Sequence, residues 1–323
     1  MSKNRSEHRR LGRAVAFVRA GLAHANTPKE ARFLRPFLIV SVVCGTMPPR
    51  MLSSVAFLVG FLLYLLQRDH RAVVREAQRG ALGERASVPS VERATIRSFG
   101  WFVRYWLDKA ASSYYTEDER DELMVVEGLA HLKAAHEGGQ GVVLASAHFG
   151  MQLWISRVAR AFGEVGFVVV RMSPPVLERW QLAIDRQLGC DPIVRSDEGP
   201  FQVIREVLSH RGSALLLVDY DVSGNGVPIR FLGREVPFAP GPAVLARKVG
   251  APIVPCVVRV RESGQHVVSF APALRVDPDA PCSVEELTQA VASALEELIG
   301  DDATPWQFGN ELRSPKASKA LSR

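Results

Sequence analysis

Beyond Gly138 and Gly139 the chain settles into an alternation that few folds accommodate: short, nearly continuous apolar runs separated by stretches of helical period. The runs are GVVLASA (141–147), FVVV (167–170), ALLLVD (214–219), IVPCVVRV (253–260) and HVVSFA (266–271), and the helical stretches cover 151–162, 176–188, 201–211 and 240–249. A strand that is apolar at every position has to be covered on both faces, the condition met by a parallel sheet whose crossover connections are helices. The fold class expected is therefore α/β, with a largely parallel central sheet flanked by helices. One more helix is predicted over 284–299, opened by Ser283 and closed by Gly300. With 323 residues, 47% of them hydrophobic, a single domain of this kind and an N-terminal appendage account for the chain.

The appendage has its own character. Lys3, Arg5, Arg9, Arg10, Arg13, Arg19, Lys29, Arg32 and Arg35 face only Glu7 and Glu30, so the first tenth of the chain holds an excess at least as large as the total of +6. Such a cluster suits an anionic partner. Nucleic acid is set aside, because no zinc spacing, RNP-like aromatic strand or basic zipper accompanies the charge. An anionic membrane leaflet fits better, because residues 36–66 follow with two apolar segments broken by Pro48, Pro49 and Arg50. The longer segment, 51–66, falls just short of the roughly 20 residues that span a bilayer. An interfacial or re-entrant helix pair is the first expectation, a single tilted span the second and a buried core helix the third. Either membrane arrangement keeps the basic tail cytoplasmic. No cleavable signal peptide is expected.

The divisions expected are 1–67 for the basic tail and membrane-anchoring helices, 68–313 for the α/β domain and 314–323 for a disordered tail. Residues 68–137 carry a helical amphipathic pattern in which Phe99, Trp101, Phe102, Tyr105 and Trp106 form either a packed stripe or an interfacial anchor. Cys44, Cys190, Cys256 and Cys282 lie far apart with no CxxC pair, which argues against a zinc site or a disulfide framework. No metal and no tightly bound cofactor is expected.

His148 stands where GVVLASA meets a short turn and then a helix. An imidazole at such a junction can take a proton near neutral pH, or simply hydrogen-bond the end of a strand. The surroundings narrow the choice. AHFG before a helix, and FLGREVPFAPGPAVLARKVGAPIVP (231–255) far downstream, resemble the lipid A biosynthesis-type (lauroyl/myristoyl) acyltransferase branch of the lysophospholipid acyltransferases, over about 34–310. In that family the His belongs to a His-x4-acid motif, in which the imidazole takes the proton from an acceptor hydroxyl and the acid orients the ring. The acid position here is Leu153.

The resemblance implies His148 as general base and leaves the orienting carboxylate to be found. Asp219 and Asp221 are substitutes at the end of a strand of the same sheet, where α/β proteins gather functional groups; a turn-forming Asp pair is the alternative. Two other outcomes stay open: an amine acceptor that needs little deprotonation, or lost transfer activity with binding retained. The family's Phe-x-Gly-like turn corresponds to Phe231, Leu232 and Gly233, and the segment around it implies acceptor contacts, with Arg230 and Arg234 as anion ligands. Arg171, after the FVVV strand, is a further anion contact. Arg186 in DRQLG serves either as one more or as a salt-bridge partner of Asp185 or Asp191. TPWQFGNELR keeps Pro305, Trp306, Gln307 and Phe308 of the family's C-terminal signature in altered order.

The function implied is transfer of a fatty acyl group from acyl carrier protein or acyl-CoA to a hydroxyl or amine of a lipid or glycolipid at the cytoplasmic membrane face. The alternative is an acyltransferase fold repurposed to bind lipid or acyl carrier, or to act as a partner in a specialised lipid or polyketide pathway.

Overall fold

The computed structural model describes residues 2–169, 173–194, 201–221, 224–277 and 282–307, with side chains from residue 12 onward and that of Val194 excepted. The expected tail at 314–323 lies outside these residues.

The chain opens with six helices, α1 (Ser2–Leu22), α2 (Pro28–Thr46), α3 (Pro49–Leu66), α4 (Arg68–Leu82), α5 (Val88–Tyr114) and α6 (Glu117–Glu122). Thr27 caps α2 by accepting the Glu30 backbone N–H at 3.2 Å. Between α2 and α3 the backbone turns extended at Met47 and Pro48, and Pro49 starts the next helix. Proline lacks the N–H that continuing α2 would need, and its fixed φ suits a first helical turn. α4 ends at Gly83 with φ +52, and Ser87 then opens the long α5 with a capping box to Ser90.

The α/β part follows as β1 (Met124–Glu127), α7 (Leu129–Glu137), β2 (Val142–Ser146), α8 (Leu153–Ala159), β3 (Val165–Val169), α9 (Pro175–Gln187), β4 (Asp191–Val194), α10 (Phe201–Ser209), β5 (Ser213–Leu217), β6 (Val227–Phe231), β7 (Arg234–Phe238), α11 (Gly241–Val249), β8 (Ile253–Val260), β9 (His266–Phe270) and α12 (Val284–Ile299). Seven strands form one sheet in the order β1-β9-β8-β2-β5-β3-β4. Every neighbouring pair is parallel except β8 with β9. The expected α/β class and mostly parallel sheet are therefore present. Both faces of the central strand are covered: Val143 and Ala145 join the core under α11 and α12, while Val142 and Leu144 join the core under α8 and α9.

Three elements differ from the sequence expectation. Residues 124–127, inside the stretch expected to be helical, pair with β9 as the edge strand β1. β4 adds a short strand beside β3. β6 and β7 form a separate antiparallel hairpin, with Pro228 opposite Pro237.

The N-terminal helices are part of the packed body. Leu34 and Leu38 of α2 are wholly buried in the α8–α9 core. α3 lies against α5 at a crossing of small residues, where a Cβ on Gly60 would stand 2.5 Å from the Gly100 backbone nitrogen. Below that crossing the buried Arg104 of α5 pairs with Asp108 at 2.7 Å and also donates to Ser53 of α3. Large apolar side chains face outward: Phe33, Phe37 and Val40 of α2, beside the exposed Arg32 and Arg35, and Met51, Val55, Leu58, Phe61, Leu62, Leu65 and Leu66 of α3, are exposed. Among the described residues α3 is the one helix long and apolar enough to cross a membrane. In α5, Phe99 is buried and Trp101 stacks edge-on against Phe57 of α3, so this part of the aromatic stretch is packed, whereas Trp106 is exposed.

Candidate active site

Parallel register decides which residues meet at the carboxyl end of the sheet. β2 and β5 are neighbours with Ser146 beside Leu217, and the Val218 N–H continues the ladder to the Ser146 carbonyl at 2.9 Å. Two residues beyond Ser146 and Leu217, past the ends of the two strands, stand His148 and Asp219. Their side chains meet, with imidazole Nδ1 2.8 Å from Asp219 Oδ1. The His148 backbone N–H also lies 3.0 Å from each carboxylate oxygen. The His148 side chain is 19% exposed and that of Asp219 is fully buried.

After His148 the backbone must turn sharply into α8. Gly150 makes the turn at φ +64, and a Cβ there would sit 2.1 Å from the Val258 carbonyl oxygen of β8, so only glycine fits. α8 then carries Leu153 inward. Leu153 is 3% exposed and packs in the apolar core with Trp154 and Ile155. The position of the family's motif acid is thus a core position in this chain, and the carboxylate that meets the imidazole arrives from β5.

A second partner of Asp219 comes from far along the chain. Trp306, 1% exposed, donates its indole N–H to Asp219 Oδ2 at 2.7 Å. Its backbone forms a β-bridge with Phe149, and the Gln307 N–H reaches the His148 carbonyl at 2.8 Å. Sequence reasoning placed Trp306 in a terminal signature but gave it no role; a tryptophan beside a remote acid leaves no mark in a linear chain.

Asp221 is buried and ties the following loop, its Oδ2 accepting the Gly226 N–H at 2.6 Å. Arg230 is exposed on β6, with its backbone held by Gln289 of α12. Gly233 turns the hairpin at φ +70, and a Cβ there would meet the Gly80 carbonyl of α4 at 2.1 Å. Arg234 lies over Gly80, its Nη1 buried with no hydrogen-bond partner among the described residues. Burial holds its guanidinium below the usual arginine range, against the pull of Glu76. The hairpin is joined to the site through Phe231, whose ring meets Trp306 edge-on at 5.3 Å. Arg171 and Phe308 lie outside the described residues. Asp191 pairs with Arg160 at 2.9 Å and Asp185 accepts from Gln181; among the described residues Arg186 makes no ion pair with either, although its charge acts on Asp185. Among the described residues no cluster of His, Cys, Asp or Glu has the makings of a metal site.

Chemically, the Nδ1–H···carboxylate contact fixes the tautomer with the lone pair on Nε2, the form that accepts a proton from an attacking hydroxyl. An imidazole so held at the edge of an α/β sheet can serve as a general base in group transfer, and this chain is an acyltransferase. It matches the bacterial lipid A biosynthesis acyltransferase family over residues 24–308 and belongs to that family. It is also similar to the phosphatidylinositol mannoside acyltransferase of Mycolicibacterium smegmatis, 27% identical over 233 residues, which is 69% of this chain and 72% of the relative. The enzyme of the same name from Mycobacterium tuberculosis is 27% identical over 228 residues, 67% of each chain.

Proposed function

We propose that this acyltransferase moves a fatty acyl group from a thioester donor, acyl carrier protein or acyl-CoA, to a hydroxyl or amine of a lipid or glycolipid at the cytoplasmic face of the membrane. The observation that carries the reading is the 2.8 Å contact between His148 Nδ1 and Asp219. For a hydroxyl acceptor, His148 Nε2 takes the proton as the oxygen attacks the thioester carbonyl carbon and the new C–O bond forms. The tetrahedral oxyanion then collapses, the C–S bond breaks, and the imidazolium returns its proton to the leaving thiolate. Asp219 holds the ring and faces the positive charge that develops on it.

The kind of acceptor is suggested by the relatives named for a mannolipid. Arg230 and Arg234 are the anion contacts of this reading: Arg230 is exposed on β6, and Arg234 Nη1 has no hydrogen-bond partner among the described residues. The exposed apolar faces of α2 and α3 support a membrane location, with the basic N-terminal stretch against anionic headgroups. The test is transfer of radiolabelled palmitate from palmitoyl-CoA, or from the acyl carrier protein thioester, to phosphatidylinositol mannoside and to a lipid A precursor. His148→Ala is expected to lower the rate by about 10²–10⁴-fold. Equal turnover by wild type and variant would sink the reading.

A further inference from the structure

We propose that Trp306 is a positioning residue for acyl transfer: its indole N–H fixes the Asp219 carboxylate in the orientation that presents Oδ1 to His148. The proposal rests on His148 and Asp219 being the catalytic pair.

A carboxylate turns easily about its last bond, because that torsion is broad and two-fold. The donors around Asp219 therefore decide where its oxygens point. The His148 backbone N–H lies 3.0 Å from both oxygens and so favours neither. The two directional contacts are Nδ1 on Oδ1 at 2.8 Å and the Trp306 indole on Oδ2 at 2.7 Å. Without the indole, Oδ2 would keep only the backbone N–H of His148 that it shares with Oδ1, and the buried carboxylate would be free to turn toward the donors that remain. The rotation would break the alignment with the imidazole.

Trp306 is itself held on three sides. Phe231 packs edge-on at 5.3 Å, the Trp306 backbone bridges Phe149, and the Gln307 N–H binds the His148 carbonyl at 2.8 Å. One short segment thus grips both the acid and the loop that bears the base. An indole N–H only donates, so it offers the acid no competing base. Nor does burial alone explain the contact: the indole nitrogens of Trp101 and Trp154 are buried with no hydrogen-bond partner among the described residues.

Trp306→Phe keeps an aromatic side chain, smaller than indole, and removes the donor. Partners that orient metal ligands matter by about 10–100-fold, and a fall of similar size in kcat is expected for this orienting donor, with KM for palmitoyl-CoA and for the lipid acceptor within about twofold. In a cycle with Asp219→Asn, the double variant should be no slower than Asp219→Asn alone, because the indole acts through the acid. The low-field Nδ1 proton resonance of His148 should move upfield in Trp306→Phe. Should the phenylalanine variant fold poorly, benzothienylalanine at position 306, which has sulfur in place of N–H, makes the same comparison at constant shape. Wild-type kcat in the donor-less variants, losses that multiply in the cycle, or an unmoved resonance would each overturn the proposal. Activity retained in His148→Ala would instead overturn the catalytic pair.

Discussion

At the scale of residues, the lesson of Leu153 is that a motif position can change character when its partner is supplied from elsewhere. Leu153 points into an apolar core, so Leu153→Asp would bury a carboxylate with no donor prepared for it. We expect that variant to lose about 3 kcal/mol or more by thermal or urea unfolding and to gain no transfer activity. His266 makes a pH prediction. It is buried against Trp154, with ring centroids 4.8 Å apart, and burial lowers its pKa to about 4 despite the pull of Asp108. The ring is then neutral near pH 7, and its 3.9 Å approach to Asp108 is no ion pair there. Because the folded pKa lies below the unfolded value near 6.5, stability is full above pH 6.5 and falls as the pH drops toward 4. His266→Gln should flatten that part of the stability profile. His148 was legible in the sequence because a strand-to-helix junction marks itself by composition. Asp219 was legible only as one of a pair, since choosing it over Asp221 requires knowing that β2 and β5 are neighbours. Strand order is not written in the chain locally.

At the scale of elements, the buried strands declared themselves through unbroken apolar runs, and α12 through its Ser283 and Gly300 ends. The β6–β7 hairpin did not. Its outer positions are exposed and two prolines sit among them, a pattern that normally argues against a strand and is tolerated where the missing N–H faces away from the partner. β1 was hidden for another reason: four half-buried residues at a sheet edge are too few to break a helical reading. The hairpin tip is clasped to α4 through Gly233 and Gly80. Gly233→Ala would strain a left-handed residue and press a methyl onto the Gly80 carbonyl, and should cost about 1–3 kcal/mol, read as a lowered melting temperature. Arg230→Ala leaves that clasp untouched. If the hairpin holds an anionic acceptor, KM should rise in Arg230→Ala while the melting temperature stays in place.

At the scale of the whole molecule, one body carries two surfaces of different kinds. α2 and α3 are packed into the core through Leu34, Leu38 and the Gly60–Gly100 crossing, yet turn many large apolar side chains outward. Replacing Leu58, Leu62 and Leu65 together by Glu leaves the inner face of α3 intact. It should shift the protein from the membrane pellet to the supernatant, whereas a high-salt wash of the wild type should release little, since salt screens charge and not apolar contact. Equal sedimentation of both proteins would remove α3 from the membrane. His148 meets Asp219 across 71 positions of sequence, and Asp219 meets Trp306 across 87. Contacts that close such long loops tend to form late in folding. If His148 is the base, a half-folded chain still showing greasy surface has no aligned imidazole with which to squander activated acyl groups, and turnover should appear only when folding is complete.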